Sequence, residues 1–273
     1  MKRLYLFYIL AFLVLVSVQA QEQQPLKSKV IFYSPSIVRV VKYPSSLNDV
    51  PSKKSYSVIM NPEKTEINCQ EDNDRIIMKT SCMIVVQDKN KGTISFSDLK
   101  GNTLLKEKSA SCAVCQNVAD TGKYKISQTF ALENDEAIFG LGQRQCLQLN
   151  QRGQKVRIWS GNTNITIPYF TSEKGYGVYW DNAGDSEFAD TPENTVFTSE
   201  VASCIDYYFF YKDGTQDGVI SGIRQLTGQA TMFPLWTMGY WQCRERYKSS
   251  DELCGVLDRY RELHVPLDGI VQD

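Results

Sequence analysis

The stretch that decides the fold is residues 234–273, PLWTMGYWQCRERYKSSDELCGVLDRYRELHVPLDGIVQD. An apolar run from Trp236 to Cys243 gives way to a polar turn and then to residues at helical spacing. A second short run, 269–272, follows and ends on a carboxylate, Asp273. Ser249 and Glu252 have the spacing of a capping box, in which a hydroxyl and a carboxylate satisfy backbone N–H groups at a helix start. Leu253, Val256, Leu257, Tyr260 and Leu263 then recur on one face, with Asp251, Glu252, Asp258, Arg259 and Glu262 on the other. Cys254 reads as packed beside the apolar face and His264 as a partner of the last helix carbonyls. Pro266 stops the helix. The order is strand, helix, strand, a β-α-β unit. Barrels and open α/β folds place substrate-touching groups at the carboxyl ends of such strands, which puts Asp273 at an active-site rim.

One β-α-β unit cannot bury both faces of its strands, so this piece must dock elsewhere or belong to a longer chain, and the second is preferred. Upstream the pattern differs. Short runs rich in β-branched and aromatic residues, at 30–33, 37–43, 56–60, 76–78, 83–86, 93–96, 125–130, 138–141, 156–159, 167–170, 176–180 and 207–211, alternate with Pro, Asn, Asp and Gly. That is the signature of an antiparallel sandwich, with Ser172-Glu-Lys-Gly175 as a hairpin turn. Near Gly214 the period changes, and Val219, Ile220, Ile223 and Leu226 predict a helix. The expected organisation is a β-sandwich over 21–214, a linking helix over 215–233 and the β-α-β unit over 234–273, so the fold class is mainly β.

At the other end, residues 1–20 carry Lys2 and Arg3, then a nearly unbroken apolar segment, then Val18 and Ala20 as small residues before Gln21. This predicts a secretory signal peptide; the alternative, a membrane anchor, needs an apolar core of ~20 residues, longer than this one. The expected location is the periplasm or the extracellular space, with no stable membrane insertion after cleavage. Thirty basic residues against 31 acidic ones give no electrostatic footprint for nucleic acid. Eight cysteines permit disulfides, but their spacing is irregular, and Cys112-x-x-Cys115 is the only such pair. With a single histidine in the chain, a four-ligand zinc site is not indicated, and no cofactor is implied. Cys112 and Cys115 read as a local disulfide or as two buried thiols.

The closing stretch resembles the start of the catalytic barrel of glycoside hydrolase family 31, the α-glucosidases and α-xylosidases. The family's first barrel strand reads like WALGFWQSR and its second like IPLDVIVxDW, against LWTMGYWQCR and VPLDGIVQD here. FGLGQ at 139–143, IPYFTSEKGYGVYWDN at 167–182, and a helix ending in LTG before Pro-x-Trp are similar to the family's N-terminal, galactose mutarotase-like sandwich and its junction with the barrel. The resemblance implies a (β/α)8 barrel of which only the first β-α-β unit is present. It also implies a retaining exo-glycosidase that removes an α-linked sugar from an oligosaccharide or polysaccharide. Its two catalytic carboxylates lie on later barrel strands, and neither motif is in this sequence; no catalytic residue is therefore assigned here, and the chain alone is expected to be inactive.

Four residues are candidates for touching substrate. Asp273 matches the family's aspartate at the end of the second strand, which accepts hydrogen bonds from hydroxyls of the sugar; the alternative is a strand-end carboxylate capping a loop. Glu245 stands where relatives place a pocket-lining aromatic, and the competing reading is a surface residue paired with Arg244 or Arg246. Asn162 and Asn164, in GNTNI at 161–165, lie on the candidate for the sandwich loop that in the family reaches over the barrel mouth. Asn164-Ile165-Thr166 also fits a glycosylation acceptor. Trp159 and Trp180 could stack on sugar, whereas Trp236 and Trp241 read as core. Two function classes remain: part of an exported α-glycosidase, with xylosidase favoured by PLDGIVQD and RERYKS, or a non-catalytic carbohydrate-binding or structural sandwich.

Overall fold

Side chains at alternate positions of a strand point to opposite faces, so a sheet covered on one face shows burial with a period of two. Tyr124–Ala131, Ser186–Asp190 and Thr195–Ala202 have that signature. Tyr176–Trp180 and Ile205–Tyr211 do not: every residue of both is buried, so both of their faces are covered. The computed structural model describes residues 23–273 except residue 117, and the signal peptide read from residues 1–20 lies outside the described residues.

Two compact units divide the chain, the first reaching Gly228 and the second spanning Gln229–Asp273. In the first, the strands are β1 (Leu26–Ser34), β2 (Ile37–Pro44), β3 (Asn68–Glu71), β4 (Arg75–Lys79), β5 (Ile84–Asp88), β6 (Ile94–Ser97), β7 (Thr103–Val114) and β8 (Tyr124–Ala131). They continue as β9 (Ile138–Gly140), β10 (Lys155–Ile158), β11 (Tyr169–Ser172), β12 (Tyr176–Trp180), β13 (Ser186–Asp190), β14 (Thr195–Ala202) and β15 (Ile205–Tyr211). They form a six-stranded sheet, β1-β2-β15-β12-β11-β9, and a nine-stranded one, β10-β13-β14-β8-β7-β6-β5-β4-β3. Neighbours are antiparallel, and residues 172–175 turn β11 into β12 as predicted. This is a mainly β, antiparallel sandwich.

The alternation within β15 explains its double burial. Ile205, Tyr207, Phe209 and Tyr211 point into the core between the sheets, where Phe209 stacks on Phe96 with ring centres 3.9 Å apart. Tyr208 and Phe210 point the other way, into a second cluster with Val219 and Leu226. Those two belong to α1 (Gln216–Thr227), whose start is capped by the Thr215 hydroxyl accepting from the Gly218 N–H. Gly222 allows the close approach: a Cβ there would sit 2.9 Å from the Phe210 ring. The predicted helix therefore seals the outer face of the six-stranded sheet.

Residues 56–60, predicted as a strand, are not one. Their N–H groups at Ile59 and Met60 instead donate to the Leu226 carbonyl at 3.0 and 3.2 Å, so this segment closes the helix end. Buried ions of the first unit are paired. Arg39 grips Asp206 with two hydrogen bonds of 2.9 and 2.7 Å, and Lys53 Nζ reaches the same carboxylate at 2.7 Å. Lys42 meets Glu107 at 2.6 Å with both side chains at most 2% exposed. A pair so buried is destabilising to break, because the survivor keeps its desolvation cost. All eight cysteines are free. Among the described residues, no helix is long and apolar enough to cross a membrane.

Candidate functional site

The second unit begins differently from its sequence reading. The apolar run over 236–243 is not one strand: Leu235–Met238 is a single 3-10 turn. Pro234 fixes the entry angle, and Thr237 closes the turn by donating from both its N–H (3.1 Å) and its hydroxyl (2.7 Å) to the Pro234 carbonyl. Only Trp241–Cys243 is extended, as β16. It pairs in parallel with β17 (Gly269–Val271), in the register Trp241 with Gly269, Gln242 with Ile270 and Cys243 with Val271. The crossover is α2 (Ser250–Glu262).

The helix start keeps half of its capping box. Ser249 Oγ accepts from the Glu252 N–H at 3.2 Å, but the Glu252 carboxylate returns to the N–H of Lys248 at 2.8 Å, one residue early. That N–H, with the Arg244 guanidinium 2.6 Å away, holds the Glu252 carboxyl below its ordinary pKa. At the other end His264, in left-handed backbone, bonds the Arg261 carbonyl at 3.1 Å through its own main-chain N–H. Cys254 is exposed, contrary to the packed position expected for it. Two three-residue strands are too short to cover all the helix's apolar positions, and no α2 residue is fully buried.

The two faces of the strand pair carry different chemistry. On the α2 side, the Gln242 carboxamide is a polar hub. Its oxygen accepts from Tyr260 (2.7 Å) and Tyr240 (3.0 Å), and its nitrogen donates to the Tyr247 hydroxyl (3.3 Å). On the opposite side Trp241 lies over Gly269, where a Cβ would come within 2.5 Å of the indole. Trp236 packs against Trp241 with ring centres 5.4 Å apart. The two indoles, read as core from the sequence, are 50% and 41% exposed. They pack on each other, and Trp241 on a glycine, with aromatic area left open.

Because β16 and β17 are parallel, their carboxyl ends point the same way, with neighbouring strands roughly 4.8 Å apart. Glu245 and Asp273 each follow their strand by two residues, so the register brings them to one rim. Both are exposed. Glu245 does not pair with Arg244: that guanidinium is taken by Glu252 and lies over the Tyr247 ring at 5.5 Å. Gln272 anchors the end of the chain path, its Nε2 donating to the carbonyls of Tyr247 and Asp273, both at 3.3 Å. Gln242, Tyr247 and Gln272 were missed as site residues. The available signal was a glutamine at the centre of an apolar run.

Asn162 and Asn164 belong to the first unit, on the connection between β10 and β11. Gly161 and Asn164 exchange main-chain hydrogen bonds of 3.0 and 3.3 Å, closing a tight turn with Thr163 in left-handed backbone. The backbone thus satisfies itself, and the Asn162 side chain is exposed while Asn164 is half-buried. Trp159 folds over Gly161 and lies 6.0 Å from the Arg157 guanidinium. Trp180 is wholly buried, stacked on Phe197 and donating to Ser199 Oγ at 3.0 Å, so it faces no ligand.

The family model for the Glycosyl hydrolase 31 N-terminal galactose mutarotase-like domain matches residues 27–188, and that for the Glycosyl hydrolases family 31 TIM-barrel domain matches residues 230–273. The chain belongs to glycosyl hydrolase family 31. An α-xylosidase of Saccharolobus solfataricus is 33% identical over 258 residues, 91% of this chain and 34% of its own length. Alpha-glucosidase 2 of Bacillus thermoamyloliquefaciens is 24% identical over 90% of this chain and 32% of that protein. The chain therefore spans about a third of the length of these family 31 relatives. In fold it is similar to the family 31 α-xylosidase of Xanthomonas citri, with a TM-score of 0.79 at 20% identity over 94% of this chain and 44% of that one. A family 31 α-xylosidase from a soil metagenome, solved with xylose, gives the same TM-score at 23% identity over 92% of this chain and 40% of that one. The sandwich and the start of a family 31 barrel are thus its architecture.

Proposed function

We propose that these residues serve an exported retaining α-glycosidase that releases terminal α-linked xylose, or glucose, from oligosaccharides, with xylose favoured. The observation that carries the reading is Asp273 at the carboxyl end of β17, level with the end of β16. A carboxylate has acceptor capacity for two vicinal hydroxyls, which suits the edge of a pyranose, and such charge-assisted bonds orient the ring. Trp236 and Trp241 leave an open aromatic face at the amino end of the same strand pair. Asn162 and Asn164 supply amide donors and acceptors on a separate loop, and Glu245 a second carboxylate on the rim. Export rests on the reading of residues 1–20.

Retention needs two carboxylates about 5–5.5 Å apart, one attacking the anomeric carbon and one protonating the leaving oxygen. No such pair is assigned among these residues; their part is to bind and orient. The test has two arms. The purified chain should not turn over 4-nitrophenyl α-xyloside or α-glucoside, and turnover above the blank sinks that part. A polypeptide in which the barrel continues past residue 273 should release the α-anomer first by NMR, and a β-anomer overturns retention. In that polypeptide Asp273→Ala should lower kcat/KM on the order of 100-fold or more, since each hydrogen bond to a charged group is worth roughly 1.5–3 kcal/mol.

A further inference from the structure

The connection from β16 to α2, residues 244–248, is exposed at every residue except Tyr247, whose exposure is 4%. That residue is held from both strands. From β16, Gln242 Nε2 donates to its hydroxyl at 3.3 Å, and from the end of β17, Gln272 Nε2 donates to its carbonyl at 3.3 Å. The Arg244 guanidinium covers the ring at 5.5 Å and is fixed in turn by Glu252 at 2.6 Å. Lys248 gives its N–H to the same carboxylate at 2.8 Å. A connection tied this often has little conformational freedom left to lose when a ligand arrives.

Both glutamines reach Tyr247 because they share a face. Cross-strand neighbours in a parallel pair point the same way, as do residues two apart on one strand. Gln242 is level with Ile270, so Gln272, two residues further on, falls on the α2 side with them. Successive side chains alternate, and Asp273 is thereby turned to the other face, the one it shares with Cys243 and Val271, both exposed. Gln272 also donates to the Asp273 carbonyl at 3.3 Å, so both protons of its amide hold main chain, one beyond each strand. Releasing that amide requires the backbone at Gln272 to turn. The same turn swings the Asp273 carboxylate off its heading.

We propose that Gln272 is a positioning residue for Asp273: its amide, anchored on the Tyr247 carbonyl, fixes the direction in which the carboxylate meets the sugar hydroxyls. This role depends on Asp273 being the carboxylate that holds substrate, as proposed above. A carboxylate moved by about 1 Å keeps its charge but loses alignment with the hydroxyls it accepts from, and misplacement on that scale can cost on the order of 100-fold in rate. Pairing of β17 with β16 limits the movement, so the loss on freeing Gln272 should be smaller than on removing the carboxylate. Gln272 itself faces away from the substrate side, and Tyr247 is buried.

The test is a double-mutant cycle in the polypeptide whose barrel continues past residue 273, with 4-nitrophenyl α-xyloside as substrate. Gln272→Met keeps the length of the side chain and removes both donors. It should lower kcat/KM about tenfold when Asp273 is present and less than about twofold in the Asp273→Ala background, where a residue acting through that carboxylate has nothing left to act on. Gln272→Glu, nearest in shape, sets a carboxylate against two carbonyls; it should lose at least as much, and it carries the cycle if the methionine variant does not fold. Tyr247→Phe keeps the carbonyl that Gln272 holds and should cost less than about threefold. Equal losses from Gln272→Met in the two backgrounds would leave Gln272 a structural residue only and overturn the proposal. An Asp273→Ala variant as active as the parent would overturn the substrate-holding reading as well, a different result from the first.

Discussion

All seven residues of strand β15 are buried and none of the thirteen in helix α2 is, although α2 carries an apolar stripe of its own in Leu253, Val256, Leu257 and Tyr260. The difference lies in what each element is packed against. Strand β15 has a sheet on one face and α1 on the other, so alternate residues enter two separate clusters. Helix α2 has two three-residue strands, and Leu263, the residue that caps its carboxyl end, stays 54% exposed. An apolar stripe states that burial is available; a second surface decides whether it happens. Order in the second unit accordingly rests more on hydrogen bonds around Gln242 than on a core.

Four measurements test that contrast. Phe209→Ala empties a wholly buried site and should cost roughly 3–5 kcal/mol in denaturant unfolding, whereas Leu257→Ala should cost less than about 1 kcal/mol; equal losses would refute the contrast. Thiol labelling at pH 8 comes next. Burial pushes the Cys112 and Cys204 thiols up to about 12, so they stay protonated at that pH, while Cys243 and Cys254 are exposed. The buried pair should react at least about a hundredfold more slowly, since the thiolate is the nucleophile; comparable rates would mean the sandwich opens readily.

Gln242→Leu should raise hydrogen exchange at 244–248 and 268–273 by roughly tenfold, the worth of about 1.4 kcal/mol, and leave sandwich unfolding unchanged. Protection that survives the substitution would shift the credit to packing. Smallest of all, Glu245→Ala should alter stability by less than about 0.5 kcal/mol, as befits an exposed side chain without an ion pair. A larger loss would reveal a partner at the rim.

How much of this was legible in the sequence follows from the range of the interactions involved. The β-α-β unit, the helix over 216–227 and the turn at 172–175 are set by neighbours within a few residues, and they could be read. Strand β7 could not, because Lys106, Glu107 and Lys108 break its alternation. Glu107 is buried only because Lys42, 65 residues away, meets it. The exposed state of Trp236 and Trp241 was likewise hidden, since it depends on a turn made by Thr237 and Pro234. At the site, Asp273 was legible from its place after a strand. Its anchoring through Gln272 and Tyr247 was not, since nothing local announces that a glutamine will bond a carbonyl 25 residues earlier.

The pairing of β2 with β15 sets a schedule for synthesis. Ile37 meets Phe210 and Lys42 meets Ile205, so one side of β2 waits for a strand that emerges from the ribosome more than 160 residues later. At 5–20 residues per second that is roughly ten to thirty seconds with an apolar strand edge unpaired. Helix α1 follows within a few residues and covers the outer face of that strand.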